Sequence, residues 1–271
     1  MKLYMSLLLI VTTLLLSSCG GAIKVSESTM KNHSMNMKPV GVLPTLSEWK
    51  TTGNLSSNQK VNISIIIKDK TNKPIQSFQT VNEKLMHLIV VSKDLSYFAH
   101  IHPVYKGNGE FDITTTFPKA GDYKLISETT PKGGIDSSVD THWLHINGIV
   151  PQAIPLTPDK NDTKVVDGVK AKLSFDMLMS KMALNMTFTL YDAKTNKPIT
   201  NLEHYLGVMG HCVAISKDVN NYLHIHPMKT EGNGPKVTFM TYFPKAGVYK
   251  IWGQFQYHGR VIVIPFVVKV P

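Results

Sequence analysis

Apolar and polar residues alternate in short runs along most of this chain. VNISIII, KLMHLIVVS, FDITTTF and YKLIS in the first half, with LNMTFTLY, HCVAIS, KVTFMTYF and YKIWGQFQ in the second, are rich in β-branched and aromatic residues and bounded by Gly, Pro, Asn and Lys. Such alternation marks half-buried strands, and no helical period follows the N-terminal apolar run. With NKP, SKD, GNG and KAG as turns, the pattern predicts an all-β chain of antiparallel β-sandwiches, immunoglobulin-like or cupredoxin-like.

The pattern also occurs twice. TNKPI at Thr71 recurs at Thr195, VVSKDLSYFAHIHP matches AISKDVNNYLHIHP, and FPKAGDYK matches FPKAGVYK, at an offset of 124 residues in the first blocks and 126 in the last. That period far exceeds the roughly 20 to 50 residues of solenoid units, so each copy is expected to be a domain with its own core. The expected division is a leader over residues 1–18, a tether over 19–43, one sandwich over 44–149, and a proline-rich linker plus second sandwich over 150–271.

Each copy brings three histidines together. His100 and His102 lie two residues apart on one strand and share a face at about 6.8 Å. If the SKDLS turn is a hairpin with an even-length loop, positions whose numbers sum to 189 face each other, and His87 lies opposite His102. The second copy repeats the triad as His211, His224 and His226. Three neutral imidazoles can hold Zn²⁺ or Cu²⁺ and leave a coordination position open. The same face carries Leu85, Ile89 and Val91, or Met209, Val213 and Ile215, and so reads as an inward face. A hydrogen-bonded core cluster of histidines stays open beside metal ligation. Met228, in HIHPM, follows the parity of His224 and His226 and adds a softer donor that suits copper. Met177, Met179, Met182 and Met186 read as core filling. Cys212 should face away from its triad as a buried thiol, while His142, His145, His204 and His258 read as independent surface or turn residues.

The N-terminus sets the expected location. Lys2, an apolar run over residues 7–16, and Leu16-Ser17-Ser18-Cys19-Gly20 resemble the leader and lipobox of bacterial lipoproteins. That resemblance implies a diacylated Cys19, a lipid bilayer as partner and a lipid-anchored, extracytoplasmic protein at the cell membrane. The following tether contains Met30, His33, Met35 and Met37, thioethers and an imidazole suited to capturing copper. The net charge of +10 rests almost wholly on lysine, Arg260 being the sole arginine. This argues against nucleic acid as a ligand, since the guanidinium fork that reads phosphates and bases is nearly missing. No nucleophile with a base at a telling spacing, phosphate loop or carboxylate pair is visible, so no enzymatic activity is expected.

The motifs MHLIVVSKDLSYFAHIHP and FPKAGDYKL, with their second copies, resemble those of a family of exported bacterial proteins associated with heavy-metal handling at the cell envelope, copper above all. The resemblance covers both copies. It implies copper, or zinc, at His87, His100 and His102 and at His211, His224 and His226, with a metal-transport or envelope protein as partner. The rival expectation is an adhesion or scaffold module whose histidines are architectural.

Overall fold

A computed structural model describes residues 41–228 and 232–271. The first copy contains β1 (Leu46–Gly53), β2 (Lys60–Lys68), β3 (Phe78–Gln79), β4 (Met86–Ser92), β5 (Phe98–Ile101), β6 (Val104–Gly107), β7 (Glu110–Thr116), β8 (Gly121–Pro131) and β9 (Ser138–Ile146). The second contains β10 (Thr163–Val166), β11 (Val169–Phe175), β12 (Ala183–Asp192), β13 (His211–Ser216), β14 (Tyr222–Ile225), β15 (Lys236–Tyr242), β16 (Gly247–Tyr257) and β17 (Arg260–Val270). No helix occurs among the described residues.

Each copy is an antiparallel sandwich, as the alternation requires. One sheet runs β1-β2-β7-β6 and its partner β5-β4-β8, with β9 on the far side of β8 and β3 pairing the end of β8. The second copy repeats this as β10-β11-β12-β15 against β14-β13-β16-β17. Ile63, Ile65 and Phe111 pack against Leu88, Val90 and Leu125 in the first core. Phe188, Val237 and Phe239 pack against Cys212, Ala214 and Ile251 in the second.

The hairpin that places the histidines has the expected register. Leu88 pairs with Ile101 and Val91 with Phe98, Ser92 N bonds to Tyr97 O, and a four-residue loop closes the turn. The Asp94 carboxylate pins that loop by accepting from Ser92 Oγ and from Ser96 N and Oγ. Leu95 at the tip is left-handed (φ 59°), and so is its counterpart Val219 (φ 58°). A β-branched residue there is strained. Both side chains are buried between the two copies, which over-determines the conformation.

The histidine-bearing face is not the inward face of a sandwich. Met86, Leu88 and Val90 fill the first core, whereas Ile89 and Val91 point outward and are buried against Val213, Ile215 and Trp252 of the second copy. Covering β4 on both sides leaves six of its seven residues buried, hence its nearly unbroken apolar run. Both sandwiches lie in one compact unit and meet through equivalent residues. Lys124 Nζ donates to Val219 O and Lys250 Nζ to Leu95 O, each at 2.7 Å. Phe98 stacks on Trp252 with centroids 4.7 Å apart. The interface is therefore an internal, approximate two-fold of the kind that joins identical subunits.

The methionines also differ from expectation. Met186, on β12, is fully buried, but Met177, Met179 and Met182 lie exposed in the β11–β12 connection, where no strand parity directs them inward.

A histidine cluster between the two sandwiches

The two triads form one cluster. On the outward face of the first copy, His87 on β4 pairs in register with Glu128 on β8, and Ile89 pairs with His100 on β5. On the second, His211 pairs with Gln254 on β16, and Val213 with His224. Face-to-face packing brings His87 to 5.3 Å from His224 and His100 to 5.7 Å from His211 between ring centroids. His102 and His226 stand just past the strand ends, 5.1 Å from His87 and 5.4 Å from His211 respectively. Within each triad, one nitrogen from every ring lies within 4.8 Å of the others, so each triad is geometrically able to hold a metal ion.

The rings are held by partners beyond the cluster. His87 Nε2 donates to Val81 O at 2.9 Å, which leaves Nδ1 to face His100 Nε2 at 2.9 Å. His211 Nδ1 faces His224 Nε2 at 3.3 Å in the same manner. The middle histidine of each copy is held by the opposite copy. His224 Nδ1 donates to Glu128 Oε2 at 2.9 Å, and His100 Nδ1 lies 3.1 Å from Gln254 Oε1. Tyr222 Oη donates to the same Glu128 oxygen at 3.1 Å. Asn82 bonds His226 Nε2 at 2.7 Å. Fixing the far nitrogen of an imidazole in this way aims the near one and sets its tautomer, as it does for histidines that bind metals.

With Gln254 Oε1 accepting from His100, two bare lone pairs face each other at 2.9 Å between His100 and His87. Such a pair is stable only with a cation between them or with a proton returned to one nitrogen. His102 Nε2 and His211 Nε2 are buried without a hydrogen-bond partner. Buried polar atoms of this kind call for a ligand or water.

Burial decides the charge of the rings. It lowers His87, pushes His100 well below the usual imidazole value, and takes His102 down to about 3 and His211 to about 2, neighbouring imidazoles adding to the effect in each case. These four are neutral at pH 7 and offer lone pairs. Burial pushes the Glu128 carboxyl up, but His224 and its hydrogen bond outweigh that and hold the group ionised, well below the usual carboxylate range.

The remaining candidates lie elsewhere. Met228 is half-exposed beyond β14, its main-chain N bonded to Thr238 O. Cys212 is buried in the second core, on the face away from the triad, and burial pushes its thiol far above the usual value. His142 stacks on Trp49, His145 pairs with Asp122 at the surface, and His204 and His258 are exposed. Cys19, Met30, His33, Met35 and Met37 lie outside the described residues. Sequence reasoning missed Glu128, Gln254, Tyr222 and Asn82. The first two had a signal, because YKLISE aligns with YKIWGQ and each ends on a polar residue within an otherwise buried strand.

Comparison with solved structures returns low similarity. Invasin, a bacterial integrin-binding protein, is 12% identical over 83% of this chain with a TM-score of 0.26, and the chain spans 39% of its length. The D00-D0 domain of intimin is 13% identical over 82% of this chain and 98% of its own, at a TM-score of 0.20. The chicken interferon gamma receptor alpha chain is 10% identical over 85% and 100%, at 0.25. Scores at this level carry no argument about function. No curated protein matches the sequence. One family profile does match, once in each sandwich, over residues 45–141 and 164–271, and the chain therefore belongs to the family described as Domain of unknown function (DUF8832).

Proposed function

We propose that this protein binds a transition metal, copper foremost and zinc as the alternative ion, in the histidine cluster between its two sandwiches. The observation that carries the reading is the set of imidazoles whose far nitrogens are held by Val81 O, Glu128 and Gln254 while their near nitrogens face one another. Imidazole suits both copper and zinc. The leader and Cys19 support a lipoprotein anchored on the outer face of the cell membrane, with Met30, His33, Met35 and Met37 of the tether, and Met228, as softer donors that hand copper to the cluster. A metal-transport protein of the envelope is the partner this scheme calls for. The role is binding, with no turnover.

The test uses protein from residue 24 onward, stripped of metal and titrated with Cu(I), Cu(II) and Zn(II) while binding and thermal midpoint are followed. Saturation at about 100 times the dissociation constant adds about 2.7 kcal/mol per site. A folded variant with His100, His102, His224 and His226 all changed to Ala should lose both binding and stabilisation. If the wild-type protein binds nothing, or only through the tether, the histidines are architectural and the protein is a scaffold or adhesion module.

A further inference from the structure

The internal two-fold relates the triads but does not make them equal. Positions 128 and 254 are equivalent, and each reaches across to the middle histidine of the other copy. One is a carboxylate and the other an amide. Glu128 is only 4% exposed, and its carboxylate accepts from both His224 Nδ1 and Tyr222 Oη, so His224 Nδ1 carries a proton and Nε2 is committed to the cluster. Its negative charge also offsets that of a bound cation. Tyr222 supports the carboxylate, while the equivalent Phe98 has no hydroxyl to offer Gln254.

Gln254 carries no charge, and its Nε2 is buried without a partner. Turning the amide places Nε2 against His100 Nδ1, moves the ring proton to His100 Nε2, and closes a hydrogen bond onto His87 Nδ1 across the 2.9 Å gap. His87 and His100 of the first triad thus have a bonded arrangement without metal. A carboxylate has no donor to turn toward His224, so His224 Nε2 stays an acceptor aimed into the cluster. A carboxylate hydrogen-bonded to one triad and a neutral amide to the other bias a metal ion toward the first of these.

We infer that the cluster is two unequal metal sites filled in order. The first to fill is His211, His224 and His226, backed by Glu128 and Tyr222. The second, His87, His100 and His102, backed by Gln254, takes up and releases its ion more readily. This inference rests on the metal-binding reading above. Two cations in rings this close repel each other, so the first ion widens the gap in affinity.

The experiment is a competitive Zn(II) titration of the protein from residue 24 onward, comparing wild type with Glu128→Gln, Gln254→Glu and the double exchange, which preserves net charge. His102→Ala and His226→Ala, at the less buried rim, assign each step to a triad. Wild type should bind two ions in resolved steps, with His226→Ala removing the tighter. Glu128→Gln should weaken that step by about 10–100-fold, the usual effect of losing a partner that orients a ligand. The double exchange should reverse the order, so that His102→Ala then removes the tighter step. Two equal steps in wild type, or a first step untouched by Glu128→Gln, overturn the inference. So does a single ion lost equally in His102→Ala and His226→Ala, which leaves metal binding standing as one shared centre. No binding by wild type overturns both.

Discussion

Acidifying the metal-free protein from pH 7 to pH 5 should weaken it through the histidine cluster. The folded-state values of His87, His100, His102 and His211 lie below the unfolded value of about 6.5. The unfolded chain then binds more protons, so stability rises with pH across the window between the two values. It is present in full above about pH 6.5 and lost progressively as pH falls toward about 3 for His102 and about 2 for His211. A group that stays neutral when folded costs about 2 kcal/mol between pH 7 and 5. His211, wholly buried, should show nearly all of this. Four such groups bound the loss at about 8 kcal/mol, the scale of a domain's entire stability, and half-buried His100 and His102 fall short of their share because solvent screens them. Glu128, whose folded value is lowered, contributes little in this window, because its loss begins only as pH falls through the unfolded carboxyl value of about 4.3 and runs downward from there. Urea unfolding with a chelator at pH 7, 6 and 5 measures the slope, and His211→Ala should reduce it by close to one proton. Stability that is flat over this range, or a slope unchanged in His211→Ala, would refute the reasoning.

Trp252→Ala removes the stack on Phe98 from the centre of the inter-sandwich cluster and should cost about 3–5 kcal/mol in denaturant unfolding. Gly253→Ala would place a Cβ 2.6 Å from Phe188 Cε1 across the second core, and an overpacking loss of about 1–3 kcal/mol should appear as a lowered thermal midpoint. Lys124→Met leaves Val219 O without its buried donor and should cost about 1–3 kcal/mol, with Lys250→Met doing the same at Leu95 O. The Cys212 thiol should resist a disulfide-exchange reagent in the native protein and react only on unfolding, since burial keeps it protonated.

The sequence made the pairing within each sandwich legible and left the pairing between sandwiches hidden, for a definite reason. Loop parity and the SKDLS turn were enough to set Val91 against Phe98 and to bring His87 to His102. Alternation identifies a buried face only when the other face is wet. In MHLIVVS both faces are apolar, so periodicity could not say that Leu88 belongs to the sandwich core and Ile89 to a second interface. The histidines share that ambiguity, so the pattern alone reads their face as inward, although it is the face that meets the other sandwich. Glu128 and Gln254 escaped notice because each acts on a ring of the other copy, through contacts 96 and 154 residues apart along the chain. The exposed Met177, Met179 and Met182 show the limit from the other side. Apolar side chains in a connection look like core until the strands around them are placed.

The reciprocal reach of Glu128 and Gln254 has a consequence for why the two sandwiches share a chain. In a dimer of identical subunits every substitution appears twice, so a carboxylate behind one middle histidine puts a carboxylate behind the other. Joining two copies in tandem removes that constraint and keeps the partner surface at high effective concentration. A fused pair can therefore hold a charged support on one side and a neutral one on the other, a division of labour closed to a symmetric dimer.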